Sequence, residues 1–236
     1  MSRFICYRNL LSKKIFTKIL TKMNLSCLVS IKVLSTIATT SLVSFTAHAE
    51  GKPSIEMPVT YQQCVACHGD VGQGNSQLKA PALAGLSQKY LTRQLTNFKT
   101  GLRGSHEKDT LGLQMQPFAK AIDNDKDVYL LTSYLANLPI ASTEPTIKGD
   151  LKNGSRYYQG KCGACHGGTA QGNESMNAPK LAGQDTDYLK RQMQNFTSGV
   201  RGTHADDKLG RQMAMMAKTT SGKELDDILY YIAVQK

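Results

Sequence analysis

Two short stretches of the chain share the pattern Cys-x-x-Cys-His. The first runs from Cys64 to His68 and the second from Cys162 to His166. This spacing is typical of c-type haem attachment, because two thiols about one helical turn apart can add to the two vinyl groups of one porphyrin. The adjacent histidine is then placed to bind the iron. We therefore predict two haem c groups, with His68 and His166 as metal ligands. The predicted attachment residues are Cys64, Cys67, Cys162 and Cys165.

Other uses of paired cysteines fit the sequence less well. A zinc site needs four ligands, and each motif offers three with no second cysteine pair. A thioredoxin-like motif would require a βαβ context, for which there is no pattern. The remaining cysteines, Cys6 and Cys27, lie in the N-terminal region, so no thiol is left over to build a disulfide framework.

The ligand on the opposite side of each iron determines what a haem can do, since methionine gives an electron carrier and an open position permits catalysis. Met115 and Met213 are the candidates, because each follows its motif histidine by 47 residues. We predict that both lie in glycine-containing loops before the last helix of their half. Methionine also fills apolar gaps, and Met215 and Met216 compete with Met213. His106 and His204 are alternative ligands, although a hydrogen-bonding or surface role is the simpler interpretation.

Six further residues are candidates for the haem pocket. A carbonyl beside Pro81 or Pro179 is placed to accept the imidazole N–H, although the same segment could be a turn and nothing more. Arg103 and Arg201 are suited to pair with a haem propionate, or are solvated charges. Tyr90 and Tyr188 could reach a propionate or simply pack.

The chain is an internal duplication. Matching residues recur at an offset of 98, including the Ala-Pro-x-Leu-Ala-Gly segments at 80–85 and 178–183. Such recurrence indicates two copies of one domain. We predict an N-terminal domain over 50–140, a linker over 141–150 and a C-terminal domain over 151–236.

Both copies are predicted to be helical. One helix leads into each motif (near 61–67 and 154–165), and another begins near Ser87 or Asp185 and stops at Gly101 or Gly199. A last helix covers 124–138, and its counterpart begins with a capping box from Ser221 to Glu224. No segment alternates as a strand does. The predicted fold class is all-α.

Residues 1–49 resemble a secretory signal. Residues 1–49 contain seven basic residues and no acidic one, and the basic region precedes a short apolar run, Val33–Phe45, which is followed by Ala47-His48-Ala49. We predict cleavage after Ala49 and a periplasmic protein. Met23 is an alternative start, and a membrane anchor is the competing interpretation, although the run is shorter than the ~20 residues of a span.

Charge argues against a nucleic-acid partner. The formal net charge of +11 falls to +4 once residues 1–49 are set aside, leaving 22 Lys and Arg against 18 Asp and Glu. Four propionates from two haems would bring the protein close to neutral. We therefore expect no nucleic-acid binding.

These motifs together resemble the dihaem class I cytochromes c of the cytochrome c4 family. The resemblance rests on the doubled Cys-x-x-Cys-His, the Pro-x-Leu-Ala-Gly segment, the Tyr-Leu-x-x-Gln helix and the registered methionine, although the residues after Gly104 and Gly202 depart from the family pattern. It implies two cytochrome c domains related by a pseudo-twofold axis, in a monomeric electron carrier rather than an enzyme. The implied partners are a quinol–cytochrome c reductase and a terminal haem-copper oxidase.

Other functions remain open at this point. The chain could be an electron-transfer subunit of a larger oxidoreductase such as a flavocytochrome, or a dihaem enzyme or sensor in which one iron lacks methionine. Peripheral membrane association is also left open.

Overall fold

The structure is a computed structural model that describes residues 56–140 and 143–235. The predicted signal peptide, 1–49, lies outside the described residues. Within the described ranges the regular structure is helical, with two isolated β-bridges and no strand. The all-α prediction is confirmed. The N-terminal half contains a 3₁₀ turn Val59–Tyr61, α1 Gln62–His68, α2 Gln88–Thr100, α3 Thr110–Lys120 and α4 Asp125–Asn137; the C-terminal half contains α5 Leu151–Lys161, α6 Gly163–His166, α7 Thr186–Thr197, α8 Lys208–Ala217 and α9 Gly222–Ala233.

Each half is organised around its last helix. In the N-terminal half α4 packs against α2 and the 3₁₀ turn, and in the C-terminal half α9 packs against α5 and α7. Paired tyrosine rings join the first and last helical segments, with Tyr61 and Tyr134 at 5.5 Å and Tyr158 and Tyr231 at 5.1 Å between ring centroids. The last helix therefore fixes the segment that leads into each Cys-x-x-Cys-His motif.

Polar side chains cap several of these helices. Ser87 and Asp185, the predicted N-caps, each accept a hydrogen bond from a backbone N–H in the first turn, and Asn124 does the same. The predicted capping box at Ser221 is wrong, because the Ser221 side chain makes no capping bond and Glu224 instead pairs with Lys161. A helix start can thus be located correctly while the contact that supports it differs.

Helix ends follow the glycines in one copy only. Helix α2 ends at Thr100, and the next residue, Gly101, has a φ of +79° and is its left-handed C-cap. Helix α7 ends earlier, at Thr197, with Ser198 as its C-cap. The single helix expected over 154–165 is also divided, because Cys162 separates α5 from α6 with a φ of −118°.

The loops predicted around the two candidate methionines are instead helices. Met115 lies in α3 and Met213 in α8. Asp109 and Asp207 cap these helices by accepting from the N–H of a glycine three residues later, at 3.0 and 2.8 Å. A Cβ at that glycine would collide with the capping carboxylate, so Gly112 and Gly210 permit the cap rather than mark a loop.

The described part of the linker, 143–150, lies along the C-terminal half. The Thr146 N–H donates to the Thr186 hydroxyl at 3.1 Å, and the Asp150 N–H donates to the Asp227 carboxylate at 2.8 Å. Among the helices of 56–140 and 143–235, none is both long and apolar enough to span a bilayer.

Gly154 provides a test of the contact between α5 and α9. A Cβ at this position would collide with the Asp227 carbonyl oxygen and would lie 3.0 Å from the Tyr231 Cβ. We expect Gly154→Ala to lower the free energy of unfolding by about 1–3 kcal/mol, the usual cost of overpacking. Gly160, in the same helix, has open space beyond its Cα. Gly160→Ala should therefore be neutral or stabilising by up to about 1 kcal/mol. Equal losses in chemical denaturation of the two variants would contradict this packing.

Candidate haem-binding sites

A buried histidine ends the motif in each half. His68 Nδ1 lies 2.9 Å from the Pro81 carbonyl oxygen, and His166 Nδ1 lies 2.9 Å from that of Pro179. A carbonyl can only accept, so the proton is on Nδ1 and the lone pair is on Nε2. Burial lowers the pKa of both imidazoles, an effect that the carbonyl contact partly offsets. Each histidine is therefore neutral and has the nitrogen that an iron ligand requires.

The proline carbonyl is held by the loop that follows the motif. Residues 75 and 80 form an antiparallel bridge through two 2.9 Å backbone hydrogen bonds, and Gly72 O accepts from the N–H groups of Leu83 and Ala84. The C-terminal copy repeats this arrangement with residues 173 and 178 and with Ala170 O. Pro81 and Pro179 therefore each lie between the backbone bridge and the bonds to the Gly72 or Ala170 carbonyl. These hydrogen bonds on both sides orient the proline carbonyls toward the histidines.

A tyrosine fixes the other end of the motif. The Tyr61 hydroxyl donates to Gly69 O at 2.5 Å, and the Tyr158 hydroxyl donates to Gly167 O at 2.7 Å. Both side chains are fully buried. Sequence reasoning did not select these two residues as part of the site, although a tyrosine three or four residues before the first cysteine of each motif was a usable signal.

The four motif cysteines are free thiols with different environments. Cys67 and Cys165 are exposed, whereas Cys64 and Cys162 are half-buried. Burial raises the pKa of Cys64 and of Cys162 to about 11. Among the described residues no group of three or more His, Cys, Asp or Glu could hold a metal ion. A neutral histidine and two uncommitted thiols are the donor set that covalent haem attachment needs.

Burial distinguishes the candidate methionines. Met115 and Met213 are half-buried, whereas Met215 is 64% exposed and Met216 is 42% exposed. Met213 is thus the residue of its cluster that is shielded from solvent, in agreement with the repeat register. Its role as an iron ligand, like that of Met115, stays a prediction.

The two other recurring histidines stabilise loops. His106 Nδ1 accepts from the Lys108 N–H at 3.1 Å, and His204 Nδ1 accepts from the Asp206 N–H at 3.2 Å. These contacts lie just before the aspartates that cap α3 and α8. They support the hydrogen-bonding interpretation of His106 and His204.

The two predicted pocket arginines lie where the halves meet. Arg103 donates to Gln94 Oε1 at 2.7 Å within its own half, and to Tyr188 Oη at 3.1 Å and Gln192 Oε1 at 3.2 Å in the other. Arg201 donates to Gln192 Oε1 at 2.6 Å and to Gln94 Oε1 at 2.9 Å. The solvated-charge alternative is therefore wrong for both. Gln94 and Gln192, which the sequence analysis missed, recur at the repeat offset.

The electrostatics of this cluster favour an anion. Burial lowers the pKa of Arg201, and the nearby charge of Arg103 lowers it further. Burial also raises the pKa of Tyr188, but the charges of Arg103 and Arg201 more than reverse this shift. Arg103 Nε is buried without a hydrogen-bond partner, and neither guanidinium forms a salt bridge with a described carboxylate. Haem propionates would supply the missing negative charge.

Tyr90 takes part in the same cluster. Its hydroxyl raises the pKa of Arg201, as that of Tyr188 raises the pKa of Arg103, in each case against the effect of burial. The Tyr188 hydroxyl accepts from Arg103 at 3.1 Å, so this tyrosine does more than pack. Tyr90 packs against the buried core of the N-terminal half.

Comparisons with known proteins identify the family of this chain. The cytochrome c family model matches residues 59–139 and 151–236. Cytochrome c4 of Azotobacter vinelandii is 26% identical over 213 residues, which cover 85% of this chain and 97% of that protein. A thiosulfate dehydrogenase electron acceptor of Stutzerimonas stutzeri (strain A1501) is 27% identical over 180 residues, covering 72% of this chain and 77% of that protein. The crystal structure of reduced recombinant cytochrome c4 from Pseudomonas stutzeri superposes with a TM-score of 0.60 and 26% identity, covering 75% of this chain and 95% of that one.

Removing one buried guanidinium should weaken the contact between the halves. Arg103→Met removes three hydrogen bonds and leaves the oxygens of Gln94 and Tyr188 with fewer donors. We expect the free energy of unfolding to fall by about 1.5–3 kcal/mol, the range for hydrogen bonds to charged groups. Arg211 is exposed on α8, so Arg211→Met should change it by less than about 0.5 kcal/mol. Denaturant titrations that cannot separate the two variants would refute this role of Arg103.

Proposed function

Because the chain belongs to the cytochrome c family and is a dihaem electron-transfer protein similar to cytochrome c4, we propose that it carries electrons in the periplasm from a quinol–cytochrome c reductase to a terminal haem-copper oxidase. The observation that carries this proposal is the repeated 2.9 Å contact between a buried histidine and a proline carbonyl. Two equivalent sites in one chain are suited to taking up two electrons singly.

Haem c supplies a one-electron iron couple, and the protein determines how that couple behaves. His68 and His166 each hold their proton on Nδ1, so that Nε2 is left for the iron. The half-buried side chains of Met115 and Met213 would bind from the opposite side. If both do so, no coordination position is left for a substrate, as expected of a carrier. Arg103 and Arg201 would bind the haem propionates and neutralise their charge.

The export signal supports a periplasmic location. Residues 1–49 combine a basic region, a short apolar run and an Ala-x-Ala site. Covalent attachment of haem to Cys-x-x-Cys-His takes place outside the cytoplasm, so export and cofactor agree. We propose cleavage after Ala49 and a soluble monomer thereafter.

A second candidate function is that of electron acceptor for a sulfur-oxidising dehydrogenase. Its support is the similarity to a thiosulfate dehydrogenase electron acceptor, which aligns with 72% of this chain. This is a specific form of the alternative in which the chain serves a larger oxidoreductase. The haem sites would be the same in either case, and the donor would differ.

Reduction kinetics distinguish the two donors. The oxidised holoprotein would be mixed with quinol plus purified quinol–cytochrome c reductase, or with thiosulfate plus thiosulfate dehydrogenase, and haem reduction followed optically. We expect the first pair to reduce the protein at least about tenfold faster, in keeping with the partner specificity of redox proteins. A faster reaction with the thiosulfate pair would overturn the respiratory assignment and leave the electron-carrier function intact.

Methionine variants test the ligation. Met115→Ala and Met213→Ala should each open one iron, so that one haem per chain becomes high-spin and binds carbon monoxide after reduction. Met215→Ala and Met216→Ala remove exposed side chains of the same cluster and should leave both haems low-spin. The measurements are the optical spectrum and carbon monoxide titration. If Met215→Ala or Met216→Ala opened the C-terminal iron while Met213→Ala did not, the ligand assignment in that half would be wrong.

A further inference from the structure

Most contacts between the two halves occur in matched pairs. Arg93 donates to the carbonyl oxygen of Asn177 at 2.9 Å, and Arg191 donates to that of Lys79 at 2.8 Å. The two arginines are 98 residues apart, as are the two acceptors. The Arg103 and Arg201 contacts are paired in the same way. This reciprocity is what a pseudo-twofold relation between the halves requires.

Gln184 breaks this symmetry. Its Oε1 accepts from the Ala82 N–H at 2.9 Å, and its Nε2 donates to the Ala82 carbonyl oxygen at 2.9 Å. The backbone N–H can only donate and the carbonyl can only accept, so the orientation of the amide is fixed. Both residues are 6% exposed. The equivalent positions are Leu86 and Lys180, and a leucine side chain can make neither bond.

The bond to Ala82 continues into the haem site of the N-terminal half. The Ala82 N–H and the Pro81 carbonyl belong to one peptide group. That peptide accepts from His68 Nδ1 at one end and donates to Gln184 Oε1 at the other, each at 2.9 Å. In the C-terminal half the peptide between Pro179 and Lys180 accepts from His166, and no described hydrogen bond engages the Lys180 N–H.

We propose that Gln184 is a positioning residue for the N-terminal haem, acting from the opposite half through this shared peptide. Hydrogen bonds in a chain polarise one another, so a bond to the N–H makes the carbonyl of the same peptide a better acceptor. A better acceptor draws the Nδ1 proton of His68 and makes the imidazole a more basic ligand. A more basic ligand favours the oxidised iron, so Gln184 lowers the potential of one haem and not of the other.

This inference rests on the proposed haem ligation by His68, and it adds a reason for two nearly identical sites to differ. It also ties the potential of one haem to the docking of the two halves, because the amide that polarises the peptide belongs to the other half. His166 has no equivalent link through Leu86.

The test replaces Gln184 with leucine, the residue that occupies the equivalent position in the N-terminal half. In Gln184→Leu holoprotein we expect the oxidised-to-reduced ratio of the N-terminal haem at a fixed applied potential to fall about threefold, or ~28 mV for a one-electron couple in which tenfold is 59 mV. The C-terminal haem should keep its ratio. NMR of the haem methyl groups during a redox titration assigns each potential to its haem.

Two further variants distinguish a direct effect of Gln184 on the potential of the N-terminal haem from a general weakening of the contact between the halves. Gln184→Glu keeps an oxygen that can accept from the Ala82 N–H, so the N-terminal potential should return to the native value or fall below it. Arg191→Lys keeps its charge but disturbs the contact with Lys79 O, and should leave both potentials unchanged. An unchanged N-terminal potential in Gln184→Leu, a shift in the opposite direction, or equal shifts of both haems would overturn the proposal.

A second readout does not depend on electron transfer. Loss of the Gln184 acceptor should speed hydrogen exchange of the Ala82 N–H and shift the ¹⁵N resonance of His68 Nδ1, while His166 keeps its resonance. Native protein in which the haems prove high-spin would refute the proposed carrier function before any variant is made. If the haems of the native protein are low-spin and the Gln184→Leu substitution leaves the His68 Nδ1 resonance unchanged, this inference alone is refuted.

Discussion

The hydrogen bond from a buried imidazole to a proline carbonyl is the contact on which each half of the protein depends. It fixes the tautomer of His68 and of His166, because a carbonyl has no proton to give. Burial then keeps the ring neutral. The backbone bridge in the following loop holds the proline carbonyl in place. The tyrosine hydroxyl and the last helix of each half hold the segment that carries the histidine. The fold therefore positions one nitrogen, and the cofactor chemistry follows from it.

The contact between the halves is built from buried and half-buried polar groups. Two guanidinium groups share the amide oxygens of Gln94 and Gln192, and Arg103 also donates to the Tyr188 hydroxyl of the opposite half. A pair of buried like charges is unfavourable unless something negative compensates it. In the holoprotein the haem propionates are suited to this role, so the cofactor and the docking of the halves would stabilise each other.

The sequence predicted the features that are local or repeated. The Cys-x-x-Cys-His motifs, the caps at Ser87 and Asp185 and the duplication needed only spacing and residue type. It did not predict the helix around Met115, because a glycine such as Gly112 usually indicates a loop. Here Gly112 lies in the first turn of the helix and donates its N–H to the capping carboxylate of Asp109. Nor did it identify Gln184, whose importance depends on a contact with Ala82, 102 residues away. A polar contact between residues far apart in the chain produces no recognisable pattern in a single sequence. The motif residues were therefore predicted, whereas the hydrogen bond between Gln184 and Ala82 was not.

The most direct test of the account is the optical spectrum of the purified mature protein, oxidised and then reduced, with haem quantified per chain and carbon monoxide added last. Two covalently bound, low-spin haems that do not react with carbon monoxide are the predicted result, because His68 and Met115 would both bind one iron and His166 and Met213 would both bind the other. One haem per chain, or a native haem that is high-spin or binds carbon monoxide, would contradict the assignment of this chain as a carrier with two closed sites.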